Sequence, residues 1–368
     1  MVKQTTYKSG RGIVATLAHD REAWAELIDL DALARWMDGK RLGEGPIVHA
    51  ETLGGGTQNI LLRFERAGRT YVLRRPPRRP RPESDEVMRR EMKVLAALAG
   101  SDVPHPGFIA GEGDPAILGT AFYLMEPIDG FNATVGLPPL HAGSAAVRRQ
   151  MGEAIVDGAV ALSRIDPHEA GLDDLGKLDG WLERQVPRWR AQLDGYAKFE
   201  GWTGYAALPD VDAICGWLEA NRPTTMKPGL IHGDYHLANV MYRPDSPALA
   251  AIVDWELASR GDPMLDLGWL TATWRDPDEP HQRVSVTPWE GFPTLGEIVD
   301  RYLAATGRTA AEARWYTVLA PFKLGAILEG SHARACAGLT PKPIGDQLHA
   351  HTISLFERAL RRIDKPLM

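Results

Sequence analysis

Cysteine is almost missing from this chain. Cys215 and Cys336 are its only two, and no surrounding residues complete a zinc pattern or a disulfide framework. Nothing therefore requires an oxidising compartment, and a reducing cytoplasm is the expected location. Long apolar runs are missing as well. No stretch approaches the roughly 18 apolar residues that span a bilayer, and the start, MVKQTTYKSGRGIVATLAHD, lacks the apolar core of a signal peptide. Neither secretion nor membrane insertion is expected. A strong charge of one sign is also lacking: the net charge of −6 over 368 residues gives no general attraction to nucleic acid or a membrane surface. What remains is an ordinary globular composition, 44% hydrophobic and 24% charged, at a length that suits about two domains, with the acidic excess after residue 126.

Residues 47–75 read as an antiparallel meander, with strands at 47–52, 58–65 and 70–75 separated first by Gly54, Gly55 and Gly56, then by Ala67 and Gly68. A helix is expected over 84–99, where Met88, Met92, Leu95 and Ala99 recur at helical spacing and Asp85 and Glu86 suit a positive helix start. Two further apolar stretches, 108–110 and 121–125, complete a five-stranded sheet with one helix. After Gly130 long helical patterns take over, at 145–165, 181–199 and 211–221. They are interrupted by a hairpin, with Val240 and Met241 on one arm, Ile252 and Val253 on the other, and Pro244 to Ser246 at the turn. Thr294 and Glu297 then have capping-box spacing, and Gly307 ends that helix. The expected fold class is α+β, with a small antiparallel-sheet lobe over 1–126 and a mostly helical lobe over 127–368.

The strongest chemical signal is His-Gly-Asp-Tyr-His-Leu-Ala-Asn at 232–239. Asp234 followed five positions later by Asn239 is the spacing of a catalytic loop for phosphoryl transfer, in which the aspartate takes the acceptor hydroxyl's proton and the asparagine holds magnesium. Asp254, fifteen residues on and returned by the hairpin, supplies the second metal ligand; hard oxygen donors plus phosphates suffice for that ion. His232 reads as a buried brace and His236 as a plain loop residue. Gly54, Gly55, Gly56, Thr57 and Asn59 form a loop between strands whose amides can cradle phosphates. Arg74 on the third strand, followed by Arg75, stands where kinases carry a lysine, and Glu91 on the helix is its expected partner. Asp262 reads as a helix cap and Asp266 as loop support.

HGDYHLAN followed by VDWELASRGDPMLDLGW resembles the aminoglycoside phosphotransferase and choline kinase group, which has a protein-kinase-like fold. The resemblance runs from Leu53 to Trp269. It implies ATP and Mg2+ as cofactors and a small-molecule hydroxyl acceptor as partner. It makes Asp234 the base, Asn239 and Asp254 the magnesium ligands, Arg74 and Glu91 an ion pair, Met125, Glu126 and Ile128 the hinge facing adenine, and Asp266 a brace. YVLRRPP, MEPIDGF and LIHGDYHLANVMY are most similar to phosphotransferase domains joined to acyl-CoA dehydrogenases, which implies a hydroxyacyl acceptor or its coenzyme A thioester. The absence of a long segment after Asp254 argues against a protein kinase. Arg334 is a candidate anchor for an anionic acceptor, whereas Glu256 with Asp276, Asp278 and Glu279 would suit a cationic one such as an aminoglycoside or choline. Arg74, Arg75, Arg78, Arg79 and Arg81 read as a solvated loop beside the nucleotide or a site for coenzyme A phosphates. A nucleotide-binding scaffold without activity is the alternative of another class, although Asp234, Asn239 and Asp254 are all present.

Overall fold

The computed structural model describes residues 28–54, 59–77, 79–276 and 286–367. These fall into two compact units, one holding the described residues up to Met92 with Gly107–Pro127, the other Lys93–Pro106 with the described residues from Ile128 onward.

The first unit opens with α1 (Leu30–Gly39), then β1 (Val48–Thr52), β2 (Ile60–Arg66), β3 (Arg69–Arg75), α2 (Ser84–Ala97, of which the residues after Met92 belong to the second unit), β4 (Phe108–Glu112) and β5 (Phe122–Met125). All five strands form one antiparallel sheet in the order β1-β2-β3-β5-β4. Alternation along β2 sends Leu62 and Phe64 into the core beside Tyr71 and Leu73 of β3. Ala67 and Gly68 both take positive φ, 51° and 74°, as the two-residue turn between Arg66 and Arg69 requires. α1 was not foreseen from the sequence. Asp29 caps it by accepting from the Ala32 amide at 2.9 Å, and its Leu33, Trp36 and Met37 join the sheet core, where Trp36 meets Phe122 edge-on at 4.8 Å.

The second unit is mostly helical: α3 (Pro139–Gly143), α4 (Ala145–Ser163), α5 (Gln185–Asp194) and α6 (Val211–Ala220) come first. Four short strands follow, β6 (Gly229–Ile231), β7 (Val240–Tyr242), β8 (Leu249–Ile252) and β9 (Ser259–Gly261). Four helices complete it: α7 (Met264–Thr273), α8 (Leu295–Thr306), α9 (Ala310–Cys336) and α10 (Lys342–Asp364). The expected hairpin forms as β7 and β8, with Val240 opposite Ile252, while β6 pairs β9 antiparallel. The Thr294–Glu297 capping box and the Gly307 stop bound α8 as expected. The helix expected over 181–199 is shorter: residues 181–184 are turns, and a 3-10 turn replaces the end after Asp194. No helix among the described residues is long and apolar enough to cross a membrane.

Candidate active site

Residues 232–239 run between the two short ladders, since β6 ends at Ile231 and β7 begins at Val240. α7 holds the front of this loop. Its fully buried Asp266 accepts from the amides of His232 and Gly233 at 2.7 and 2.9 Å. Burial pushes the Asp266 carboxyl up to about 7, against the opposing pull of those two amides and Lys323. Gly233 has φ +88°, and a Cβ there would lie 2.6 Å from the Leu257 carbonyl oxygen, so only glycine fits. α4 holds the back. Tyr235 Oη donates to the Ile155 carbonyl at 2.6 Å, and a Cβ on Gly158 would come within 2.7 Å of that hydroxyl.

His232 is completely buried. Its Nδ1 accepts from the Asp234 amide at 3.3 Å, so Nε2 carries the proton and donates to the Val253 carbonyl at 3.0 Å. Burial pushes the imidazole down to about 4, which keeps the ring neutral near pH 7. The same bond ties the loop to the segment that carries Asp254.

Both oxygens of Asp234 are engaged. Oδ1 accepts from Trp269 Nε1 at 2.8 Å and lies 3.1 Å from His236 Nε2, while Oδ2 accepts from Asn239 Nδ2 at 2.9 Å. His236 Nδ1 accepts from the Ala238 amide at 3.1 Å, which leaves Nε2 as the donor to Asp234. Burial alone would raise the Asp234 pKa; His236 and His232, with the Trp269 bond, outweigh it and hold the carboxyl far below its usual range. The carboxylate has about four lone-pair sites and three are used, so one on Oδ2 is left for a further donor. His236 is thus more than the plain loop residue its position suggests, since it lies 3.1 Å from the Asp234 carboxylate. The signal was its position two residues after Asp234. Trp269 had no role in the sequence reading; its clue was the i,i+3 spacing from Asp266 on α7, which sets both side chains on one helix face.

The Asn239 amide group also donates to the Asp234 carbonyl at 2.9 Å, and its Oδ1 has no donor among the described residues. Val253 N donates to the Asn239 carbonyl at 2.9 Å, and this bond sets the start of the next segment beside the loop. Asp254 adopts a left-handed conformation, φ 69° and ψ 63°, as it turns out of the hairpin into a 3-10 turn. Carboxylate oxygens of Asp254 and Glu256 come within 4.8 Å of each other. Asn239 Oδ1 and the carboxylates of Asp254 and Glu256 are hard oxygen donors, the type that could hold magnesium.

In the first unit, Arg74 Nε and Nη2 donate to Glu91 Oε2 and Oε1 at 2.9 and 2.8 Å, with the Glu91 side chain 1% exposed. Tyr123 Oη adds a third donor to Glu91 at 3.3 Å. Truncating one member of such a pair strands a buried charge. Arg74→Ala is expected to lower stability by about 3–5 kcal/mol, measured by chemical denaturation; an unchanged midpoint would show that water or another residue compensates Glu91.

Gly54 is exposed, Asn59 half-buried, and Gly55, Gly56 and Thr57 lie outside the described residues. Met125 ends β5, Glu126 is exposed and accepts from Arg69 at 3.0 Å, and Ile128 is half-buried. Arg75 is buried and faces Asp85, Arg79 and Arg81 are exposed, and Arg78 lies outside the described residues. Asp262, also buried, accepts from the Met264 amide at 3.0 Å and binds Arg308 through both oxygens, so it does more than cap α7. Asp276 was a candidate for cationic acceptors, but it is buried and pairs with Arg362 at 3.3 Å; Asp278 and Glu279 lie outside the described residues. Arg334 is exposed in the last turn of α9.

Known proteins resemble this chain in sequence and in fold. The chain is 28% identical to mouse acyl-CoA dehydrogenase family member 10 over 342 residues, which is 90% of this chain and 31% of that protein. It spans about a third of the length of the curated relatives it matches. A crystal structure from Ralstonia eutropha JMP134, provisionally assigned as an aminoglycoside phosphotransferase, superposes with TM-score 0.74 at 27% identity, covering 90% of this chain and 98% of that one. An aminoglycoside phosphotransferase in complex with ADP and hygromycin B shares the fold at TM-score 0.56 and 15% identity, covering 87% and 98%. The sheet-bearing and helical units are thus those of the kinase-like aminoglycoside phosphotransferases. Residues 49–316 match the phosphotransferase enzyme family, and the chain belongs to that family.

Proposed function

We propose that this protein transfers the γ-phosphoryl group of ATP to a hydroxyl of a small molecule, and that the acceptor is a hydroxyacyl compound. The observation that carries the reading is the environment of Asp234: three donors fix its carboxylate and one lone-pair site on Oδ2 is left for an acceptor hydroxyl. In the step, the hydroxyl oxygen bonds to the γ-phosphorus, the bond from that phosphorus to the β,γ-bridging oxygen breaks, ADP leaves, and the hydroxyl proton passes to Asp234. A carboxylate held at low pKa is a weak base. That suits a loose transition state, where orientation of the nucleophile matters more than early proton removal.

Asn239 Oδ1 and Asp254 would hold magnesium, which neutralises charge on the phosphates when bound. Asp266 and His232 keep the loop amides and the Asp234 backbone in place. Arg74, oriented by Glu91, would contact phosphate, with Gly54 and Asn59 on the phosphate loop and Met125, Glu126 and Ile128 at the adenine. The hydroxyacyl leaning is supported by the likeness to acyl-CoA dehydrogenase family members. Hygromycin-like cationic acceptors have less support, because Asp276 is engaged with Arg362 and Glu256 alone remains of the described acids named for them.

Acceptor-dependent ADP release over a panel of hydroxyacyl acids and thioesters, aminoglycosides and amino alcohols tests the reading. Release with hydroxyacyl acceptors is expected. Turnover of aminoglycosides or choline alone would overturn the acyl assignment, and no acceptor-dependent release at all would overturn phosphotransfer to a hydroxyl.

A further inference from the structure

Lys323, in the middle of α9, is a half-buried cation with no carboxylate in ion-pair contact and no hydrogen-bond acceptor among the described residues. Its Nζ lies 4.8 Å from the centre of the Trp269 ring and 5.3 Å from that of Trp189, on α5. Trp269 is the residue whose indole N–H binds Asp234 Oδ1, so the ammonium sits one ring away from the reacting carboxylate. Arg188 approaches the same Trp189 ring, its Cζ 4.9 Å from the centre, and has no ion pair among the described residues. Trp189 is only 6% exposed, and its buried Nε1 lacks an acceptor. One buried indole N–H without an acceptor and two cations thus gather around the Trp189 ring, and one of those cations also lies against the Trp269 ring that binds Asp234. A stranded buried N–H and two neighbouring like charges are unfavourable, and an anion relieves both.

We propose that Lys323, Arg188 and the Trp189 indole N–H bind an oxyanion of the acceptor, a carboxylate or a phosphate, and thereby hold its hydroxyl at Asp234. The proposal rests on the phosphotransfer reading and narrows its substrate class: an acceptor bearing an ammonium at this position would meet two cations. It also relocates the anion anchor expected at Arg334. That residue is eleven positions further along α9, about 16 Å away at 1.5 Å per residue. Burial lowers the Lys323 pKa to about 8, while Asp266 and Asp234 pull it upward, so the ammonium form still predominates at neutral pH. The competing role for Lys323 is that of a distant counter-ion to Asp266.

The test uses the full chain, with ω-hydroxycarboxylates of three to six carbons, glycerol 3-phosphate, and the matching diols and amino alcohols as probes. ADP release and calorimetric binding without nucleotide are both measured. Anionic acceptors are expected to outperform matched diols, and Lys323→Gln to raise their KM about 10- to 100-fold with kcat within a few-fold, leaving the diols unaffected. Arg188→Gln, at an exposed position and so safe for folding, should give a smaller rise that shrinks with added salt. The carboxylate and phosphate arms distinguish which oxyanion is read. Diols or amino alcohols turned over as well as the anions would overturn the proposal. So would a Lys323→Gln loss of kcat shared by every acceptor, which marks a counter-ion of Asp266. An anion that binds wild type and not Lys323→Gln, yet is never phosphorylated, would leave the anion site standing and bring down the phosphotransfer reading. Phosphorylation of neutral acceptors without anion binding would do the reverse.

Discussion

Asp234→Asn is expected to lower turnover by roughly 10²- to 10⁴-fold, the range of a positioned general base, with little change in nucleotide affinity. The carboxylate accepts from Trp269 and His236 on one oxygen and from Asn239 on the other. An asparagine offers only one oxygen, so one of these donors would face an NH2 group. That mismatch costs about 1–3 kcal/mol. The variant must therefore be checked for an unchanged fold before its kinetics are interpreted. Trp269→Phe is the companion: it removes a donor to Oδ1 without altering the base, and its turnover should fall less. Measured Asp234→Asn turnover within a few-fold of wild type, in a folded protein, would remove Asp234 from the base role.

The parts of this molecule that were legible in the sequence are those where local chemistry and final position coincide. Asp234 and Asn239 belong to one loop, and Asp254 is returned to it by a hairpin whose turn residues, Pro244 to Ser246, are visible as such. The five-stranded sheet was legible because β2 alternates inward and outward and is joined to β3 by Ala67 and Gly68. α9 was not, and the reason is physical. It is buried all round from Trp315 to Phe322, so that stretch carries no apolar stripe to give a helical period. Lys323 lies within that helix, and with it went the cation that approaches Trp269. His236 and Trp269 were overlooked for another reason: their contact with Asp234 depends on a side-chain tautomer and on a helix that arrives 30 residues later, neither of which spacing encodes.

Removing the charge at Asp254 should give the second large effect, a weaker magnesium requirement site rather than a slower base. Asp254 sits at φ 69°, in the left-handed region that aspartate and asparagine tolerate and alanine resists. Asp254→Ala therefore mixes two losses, the ligand and the backbone fit. Asp254→Asn separates them, since it keeps the conformation and the shape but carries no charge. Its magnesium requirement for nucleotide binding is expected to rise by at least the roughly 10- to 100-fold that loss of an outer-shell partner costs, with thermal stability near wild type. Asn239→Ala should raise the requirement less, because it removes a neutral ligand, although it also frees Asp234 Oδ2 from its donor and so lowers turnover. Nucleotide titrations at several magnesium concentrations, with each variant's melting temperature alongside, measure both. An Asp254→Asn protein whose magnesium dependence matches wild type would place the metal elsewhere, and the neighbouring carboxylate of Glu256 would then be the first residue to replace.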